Sequence, residues 1–181
     1  RSSLDRADPI KARYAAPALR IEPLSDQHDR ESFASGVEPL DRYLRQQAGQ
    51  DARRRVATCF VLVGDDDRVP LGYYTLAATS IALAELPEAL AKRLPRYPVV
   101  PATLMGRLAV DARHQGRGHG EFMLLDAFSR ALRNEIASYA FVVDAKDDKA
   151  AQFYQRYRFR YLVGGGQRLF VPMAEIAKLF S

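Results

Sequence analysis

Three glycines alternate with Arg117 and His119 in the segment RHQGRGHGEF, residues 113–122. The segment lies between an apolar run that ends in LAV and an amphipathic stretch that begins FMLLDAF. Glycine is costly in or near a helix, so its use there indicates a need for backbone freedom or for close approach. A glycine-rich turn that opens a helix is suited to binding an anion, because free N–H groups and the positive end of the helix dipole converge on it.

The spacing of these glycines excludes two familiar nucleotide-binding motifs. A Walker loop ends in Gly-Lys-Ser/Thr, whereas Gly118 and Gly120 are followed by His119 and Glu121. A dinucleotide-binding fingerprint requires G-x-G-x-x-G and an acidic residue about twenty positions later. The glycines here run Gly116, Gly118, Gly120, in the second half of the chain. The turn therefore predicts an anion site without identifying the anion.

The cysteine and the histidines favour neither thiol nor metal chemistry. Cys59 is the single cysteine and lies in ATCFVLV, where we expect a small buried side chain rather than a nucleophile. His28, His114 and His119 show no metal-ligand spacing, so no metal site is predicted.

Apolar periodicity predicts a mixed α/β chain that places the glycine turn between a strand and a helix. Strands are expected in ALRIEPL, VATCFVLV, RVPLGYYTLAATSIAL, ATLMGRLAV and SYAFVVDA, and a closing hairpin in RFRYLVG and GQRLFVPM. Helices are expected over residues 36–55, in PEALAKRL, after the glycine turn, in KAAQFYQRY and at the C-terminus. Asp147 or Asp148 is expected to cap the KAAQFYQRY helix. The segment PRYPVVP is expected to form a stiffened loop.

Composition is that of one globular domain of 181 residues, 48% of them hydrophobic. Residues 1–17 lack clear periodicity and are expected to be a poorly ordered extension, which leaves residues 18–181 as the domain. No apolar run approaches the roughly 18 residues of a membrane span. The N-terminal stretch also lacks the apolar block of a secretion signal, so a cytoplasmic location is expected. The net charge of +5 is compatible with an acidic partner such as nucleic acid.

The segment LMGRLAVDARHQGRGHGEFMLLDAF resembles the acetyl-coenzyme A signature of the GNAT family of N-acetyltransferases. In that family a Q/R-x-x-G-x-G/A loop joins the fourth strand to a helix and wraps the pyrophosphate of the coenzyme. The resemblance implies an α/β (α+β) fold, with a central mixed, mostly antiparallel twisted sheet flanked by helices. It also implies that backbone amides of the turn bind phosphate and that the preceding strand lines the pantetheine arm. The implied coenzyme-binding residues are Leu108, Ala109, Val110, Gln115, Gly116, Arg117, Gly118, His119 and Gly120, although the side chains of Arg117 and His119 are equally explained as solvent-facing spacers.

A second segment, AKDDKAAQFYQRYRFRYL, is similar to the A-x-x-F-Y-x-x-x-G-F segment of the same family. Ala150, Phe153, Tyr154 and Phe159 match it, whereas Arg158 replaces the family glycine and leaves the local backbone geometry open. The resemblance implies that Tyr154 donates a proton to the departing thiolate. A tyrosine of pKa about 10 is neutral at pH 7 and can protonate a thiolate of pKa about 8.5. The alternative interpretation is a core aromatic residue.

The segments SGVEPLDRYLRQQAGQ, LPRYPVVP and GRLAVD resemble the toxin branch of this family, in a similarity that extends over roughly residues 18–180. Members of that branch acetylate the α-amino group of aminoacyl-tRNA and are partnered with ribbon–helix–helix antitoxins, and the resemblance implies both partners and a homodimer. An α-amino group of pKa about 8 is already partly neutral at pH 7. The strand ATLMGRLAV carries no carboxylate, which suits such an acceptor, and Asp111 and Asp144 remain candidate bases.

Four cations around the proline-rich segment and the following strand are candidate contacts for tRNA phosphates: Lys92, Arg93, Arg96 and Arg107. A solvated loop explains Lys92 and Arg93 equally well. The predicted function is acetyl transfer from acetyl-CoA to aminoacyl-tRNA, which blocks translation. Two alternatives stay open: an acetyltransferase for a small amine or a protein N-terminus, and a non-enzymatic, basic nucleic-acid-binding subunit.

Overall fold

A seven-stranded sheet forms the centre of the fold. The computed structural model describes residues 18–181, so the extension predicted for residues 1–17 lies outside the described residues. The strands are β1 (Arg20–Pro23), β2 (Thr58–Val63), β3 (Gly72–Ala82), β4 (Val99–Val110), β5 (Ala140–Asp144), β6 (Arg160–Tyr161) and β7 (Arg168–Pro172). Their order is β1-β2-β3-β4-β5-β7-β6. Only β4 and β5 are parallel neighbours. The mixed, mostly antiparallel sheet that the sequence predicts is confirmed.

Six α-helices flank the sheet in the described residues. They are α1 (Glu38–Arg42), α2 (Ala48–Arg53), α3 (Glu88–Ala91), α4 (His119–Arg133), α5 (Asp148–Gln155) and α6 (Met173–Leu179). A π-helical turn, Tyr43–Gln47, joins α1 to α2. Asp147 caps α5 as predicted, because its carboxylate accepts the Ala150 N–H at 2.8 Å. Within residues 18–181, no helix combines the length and the apolar character needed to cross a membrane.

Alternation along the strands gives the sheet two differently covered faces. On the first face, α1, the π-helical turn and α2 pack over one end of the sheet, and α3 packs over the other. The buried residues there include Leu44, Val61, Tyr73, Ala109, Val100 and Val142. On the second face, α4, α5 and α6 bury a cluster that includes Leu62, Tyr74, Met123, Leu124, Phe128 and Phe141. The apolar face predicted for the helix after the glycine turn is the face that α4 buries.

The predicted loop PRYPVVP is wrong for its last three residues, because β4 begins at Val99. These residues pair with the long strand β3, where Val99 lies opposite Ala82. Pro101 is tolerated there because its carbonyl accepts the Tyr139 N–H at 2.8 Å, on the side of β4 that faces β5. The missing N–H of Pro101 lies on that same side, so proline removes no hydrogen bond to β3.

The strands β4 and β5 separate at the point where the glycine turn and α5 approach the sheet. Their pairing covers only Ala102–Met105 of β4, which continues to Val110. A β-bulge accompanies the separation, because the register against β3 shifts at Gly106. The second half of β4 therefore presents unpaired backbone groups to an opening between the two strands.

Candidate active site

The glycine turn leads from the end of β4 into α4. Gly116 has φ of 75° and Gly118, the residue that precedes α4, has φ of 82°. Both values lie in the left-handed region, which side chains with a Cβ rarely adopt, so the backbone conformation favours glycine at these two positions. Gly120 lies in the first turn of α4, where an added Cβ would meet the Phe153 ring at an ordinary 3.8 Å. Contacts within the protein therefore do not require Gly120.

The backbone N–H groups of residues 115–121 have no acceptor in the described part of the chain. The first hydrogen bond of α4 runs from the Phe122 N–H to the Gly118 carbonyl at 3.0 Å. The turn and the 15-residue helix behind it thus present a row of free donors and the positive end of a helix dipole. This is the geometry of an anion site, and it fits the pyrophosphate of a coenzyme.

The Gln115 side chain holds the turn in place. Its amide donates to the Ser35 carbonyl at 2.9 Å and to the Val110 carbonyl at 3.0 Å. The side chain is therefore committed to the protein, while the Gln115 N–H stays free for a ligand.

Two imidazoles and a guanidinium surround the turn. The rings of His114 and His119 have centroids 6.5 Å apart, and Arg117 lies 3.5 Å from the His114 ring. Burial lowers the pKa of His119, and the neighbouring His114 and Arg117 lower it further. His119 is therefore neutral at pH 7, and Arg117 supplies positive charge beside the free N–H groups.

Both candidate bases are engaged in protein contacts. The buried Asp111 carboxylate accepts hydrogen bonds from the Ala34 N–H and from the Arg113 backbone and guanidinium. Burial alone would raise the pKa of Asp111, but these hydrogen bonds outweigh it and lower the pKa to about 2. Asp144 ends β5 and forms two hydrogen bonds with Arg168, at 2.8 and 3.1 Å. The structure gives each carboxylate a structural role.

Tyr154 lies on α5 beside the glycine turn. It is buried, with ring centroids 5.3 Å from Phe153 and 5.4 Å from Phe159, and Phe153 in turn packs against Gly120. Burial and the negative charge of Asp144 raise the pKa of Tyr154, so its hydroxyl keeps its proton at neutral pH. That hydroxyl has no hydrogen-bond partner among the described residues, so its proton is free to serve a ligand.

Arg158 occupies the position of the family glycine and keeps a glycine-like backbone. Its φ of 70° lies in the left-handed region. The turn after α5 therefore holds this conformation despite the arginine side chain, at a cost of about 1 kcal/mol. The backbone at residue 158, which the sequence alone does not define, is therefore left-handed as it would be with glycine.

The four cations predicted to contact tRNA lie in two places. Lys92, Arg93 and Arg96 follow α3, and Lys92 forms an exposed ion pair with Glu88 at 3.2 Å. Arg107 lies eight residues beyond Val99 on β4, or about 25 Å along the strand. The structure therefore does not bring Arg107 together with the other three.

A cleft lies beside Arg107, and no sequence motif indicates it. Its volume is about 300 Å³, and it lies between β4 and the helical segment that includes the π-helical turn. The Arg107 guanidinium carbon lies 3.5 Å from the centroid of the Tyr43 ring. Helical spacing predicts a helix over this segment, but nothing in the periodicity reveals the extra residue of a π-helical turn.

Cys59 is buried, and burial raises the pKa of its thiol to about 12. The prediction of a core cysteine is confirmed. Within residues 18–181, no group of three or more His, Cys, Asp or Glu side chains is arranged to hold a metal ion.

Comparison with known proteins gives consistent matches over most of the chain. The model of the acetyltransferase (GNAT) family matches residues 22–159. A tRNA-acetylating toxin of Mycobacterium tuberculosis is 38% identical over 148 residues, which cover 81% of this chain and 84% of that protein. The structure of AtaT complexed with acetyl-methionyl-tRNAfMet superimposes with a TM-score of 0.82 and 31% identity, over 91% of this chain and 100% of that one. A tyrosine-to-phenylalanine variant of AtaT, bound to the C-terminus of the antitoxin AtaR and to acetyl-CoA, gives a TM-score of 0.75 and 28% identity, over 90% and 98% of the two chains.

Proposed function

This chain belongs to the acetyltransferase (GNAT) family, and we propose on that premise that it acetylates the α-amino group of aminoacyl-tRNA and so blocks translation as a toxin. It is an acetyl-CoA-dependent N-acetyltransferase. The observation that carries the proposal is the row of free N–H groups at residues 115–121 beside the protonated Tyr154. The acceptor class is supported by the similarity to a tRNA-acetylating toxin and to AtaT bound to an acetylated aminoacyl-tRNA.

The donor site is formed by β4 and the glycine turn. The N–H groups of residues 115–121 bind the pyrophosphate of acetyl-CoA. Leu108, Ala109 and Val110 line the pantetheine arm, which is supported by the unpaired edge of β4 beyond Met105. Arg117 adds positive charge for the coenzyme phosphates.

The chemistry is a direct transfer between two bound substrates. The neutral amine of the acceptor attacks the thioester carbonyl carbon, so a C–N bond forms and the C–S bond breaks. The departing sulfur takes the hydroxyl proton of Tyr154, the proton of the attacking amine leaves to water, and water returns a proton to Tyr154. A backbone N–H of β4 polarises the carbonyl. The single cysteine, Cys59, is buried in the core and takes no part.

The acceptor side uses the basic character of the chain. Exposed cations after α3, Lys92, Arg93 and Arg96, contact phosphates of the tRNA acceptor end, in keeping with the net charge of +5. These contacts position the tRNA without selecting its amino acid.

An antitoxin and a second copy of the chain complete the proposal. AtaT binds the C-terminus of its antitoxin AtaR, and the resemblance to the toxin branch implies a ribbon–helix–helix antitoxin and a homodimer here. A cytoplasmic location belongs to the same proposal, since charged tRNA is found there.

The test is to incubate the protein with acetyl-CoA and total charged tRNA, and to seek N-acetylated aminoacyl nucleosides by mass spectrometry after nuclease digestion. We expect acetylation of one or more aminoacyl-tRNAs. Acetylation of only small amines or protein N-termini would overturn the acceptor assignment. A protein that harms growth equally with and without the Tyr154 hydroxyl would overturn the enzymatic role.

A further inference from the structure

Arg107 is a half-buried cation without an ionic partner. Its guanidinium stacks on the Tyr43 ring at 3.5 Å. Within residues 18–181, no carboxylate lies within ion-pair distance of it and no hydrogen bond engages its N–H groups. A charge that is partly removed from water normally has a partner. A stacked guanidinium keeps its N–H donors at its edge, so Arg107 is arranged to bind an acceptor that a ligand supplies.

The cleft next to Arg107 is shaped by the π-helical turn. The Ala48 N–H bonds to the Tyr43 carbonyl five residues earlier, which widens the helix at this point. Such turns occur frequently at functional sites. Leu40 and Gln46 are among the residues that line the cleft with Arg107. The cleft thus combines an apolar wall, an amide and a fixed cation in a space that suits one amino-acid residue.

Among the described residues, the lining of the cleft is positive, because it contains Arg42 and Arg107 and no carboxylate. The charged and titratable groups near Arg107 are Asp41, Arg42, Tyr43 and Asp51 on the helical segment, and Cys59 and Tyr73 on β2 and β3. Burial raises the pKa of each of the two tyrosines and of the thiol, so all three are neutral. Both acids are already engaged by the protein. Asp51 accepts the Tyr43 hydroxyl at 2.8 Å and the Gln47 amide at 2.9 Å, and Asp41 accepts the Ser35 N–H at 2.9 Å and the Ser35 hydroxyl at 2.6 Å.

The cleft lies across β4 from the coenzyme turn. Arg107 and Ala109 point to the first face with α1 and α2, whereas Leu108 and Val110 point to the second face with α4. The glycine turn immediately precedes α4, which packs on the second face of the sheet. The donor therefore approaches β4 from that face. The opening between β4 and β5 connects the two faces at the segment proposed to hold the thioester.

We propose that this cleft binds the α-aminoacyl group of the acceptor, and that Arg107 donates to the carbonyl oxygen next to the amine that is acetylated. The inference rests on the proposed function and assigns its acceptor pocket. A guanidinium a few ångströms from the amine disfavours the ammonium form, so the amine is nucleophilic without a carboxylate base. The same charge disfavours aminoacyl groups with cationic side chains.

The experiment compares Arg107→Gln and Arg107→Lys with wild type on three acceptors. These are a purified aminoacyl-tRNA, the methyl ester of the same amino acid, and the amine that has the same side chain but lacks the carbonyl group. Arg53→Gln, an exposed arginine on α2 outside the cleft, is the matched control. The Kd for coenzyme A reports whether the fold and donor site are intact.

We expect Arg107→Gln to lower kcat/KM by about 10- to 100-fold for the tRNA and the ester, since a hydrogen bond to a charged group is lost. Measured above the pKa of each amine, where protonation no longer limits the rate, the loss for the simple amine should stay under about threefold, because that acceptor has no carbonyl for Arg107. The acid limb of the kcat profile for the ester should move to higher pH by about one unit in Arg107→Gln. The kcat/KM of Arg107→Lys should lie between those of wild type and Arg107→Gln, because lysine keeps the charge but loses the planar guanidinium and its stacking.

Two results would overturn the inference. Equal losses on the ester and on the simple amine would mean that Arg107 only supports the local structure. A loss confined to the tRNA would mean that Arg107 contacts a phosphate. If wild type acetylates the ester but no aminoacyl-tRNA, the proposed function fails while the pocket assignment stands on the ester data.

Discussion

At the scale of single residues, Tyr154 combines burial with a hydroxyl that no described residue engages. Tyr154→Phe should therefore leave the free energy of unfolding nearly unchanged while removing the proton that the thiolate needs. We expect kcat to fall by about 100- to 1000-fold with little change in the Kd for coenzyme A. Release of coenzyme A, followed with a thiol reagent, measures the rate. A variant that retains more than about half of the wild-type kcat would mean that water protonates the sulfur.

Asp111 is the residue whose ionisation should matter most for stability. Its folded pKa of about 2 lies below the ordinary 3.8, so its contribution is fully present above pH 3.8 and is lost as pH falls through about 2. Asp111→Asn should lower the free energy of unfolding at pH 7 by about 2 kcal/mol, measured by urea titration.

The matched control is Asp144→Asn, which breaks a more exposed ion pair and should cost less than about 1 kcal/mol. The deficit of Asp111→Asn relative to wild type should shrink between pH 4 and pH 2. A deficit that stays constant over that interval would mean that volume or geometry, rather than charge, is responsible.

At the scale of elements, the glycines of the turn differ in what their backbone conformation demands. Gly118 has a left-handed backbone, so Gly118→Ala should cost about 1 kcal/mol of stability and raise the KM for acetyl-CoA by displacing the free N–H groups. Gly120→Ala places a methyl group at ordinary contact distance in a helix and should stabilise the fold by up to about 1 kcal/mol. Thermal unfolding of the two variants measures the difference, and equal destabilisation would contradict it.

Local requirements are the part of this site that could be predicted from sequence. The glycine spacing and the Asp147 cap each depend on a few adjacent residues, and both predictions agree with the structure. The stacking of Arg107 on Tyr43 joins residues 64 positions apart in sequence and depends on a π-helical turn. No local sequence pattern can therefore predict it. The start of β4 also has no local signal, since three prolines favour a loop. Pro101 fits in the strand because its missing N–H faces away from β3, which depends on the register of the sheet.

At the scale of the whole molecule, 27 basic residues against 22 acidic ones should make tRNA binding dependent on salt. Raising salt from about 50 to about 200 mM should raise the KM for aminoacyl-tRNA by on the order of 10- to 100-fold, because counterions compete for the phosphates. The KM for an amino-acid methyl ester should hardly change.

Arg96→Gln is expected to reduce the slope of log KM against log salt by about one. An unchanged slope would place the phosphate contacts elsewhere on the molecule.

The separation of β4 from β5 has a kinetic consequence. Because donor and acceptor reach the same strand from opposite faces, neither has to leave before the other arrives. The enzyme should therefore form a ternary complex, and double-reciprocal plots of initial rate against each substrate should intersect rather than run parallel. Parallel lines would require a covalent acetyl-enzyme. The opening between the two strands thus determines the kinetic mechanism, because it allows both substrates to be bound at once.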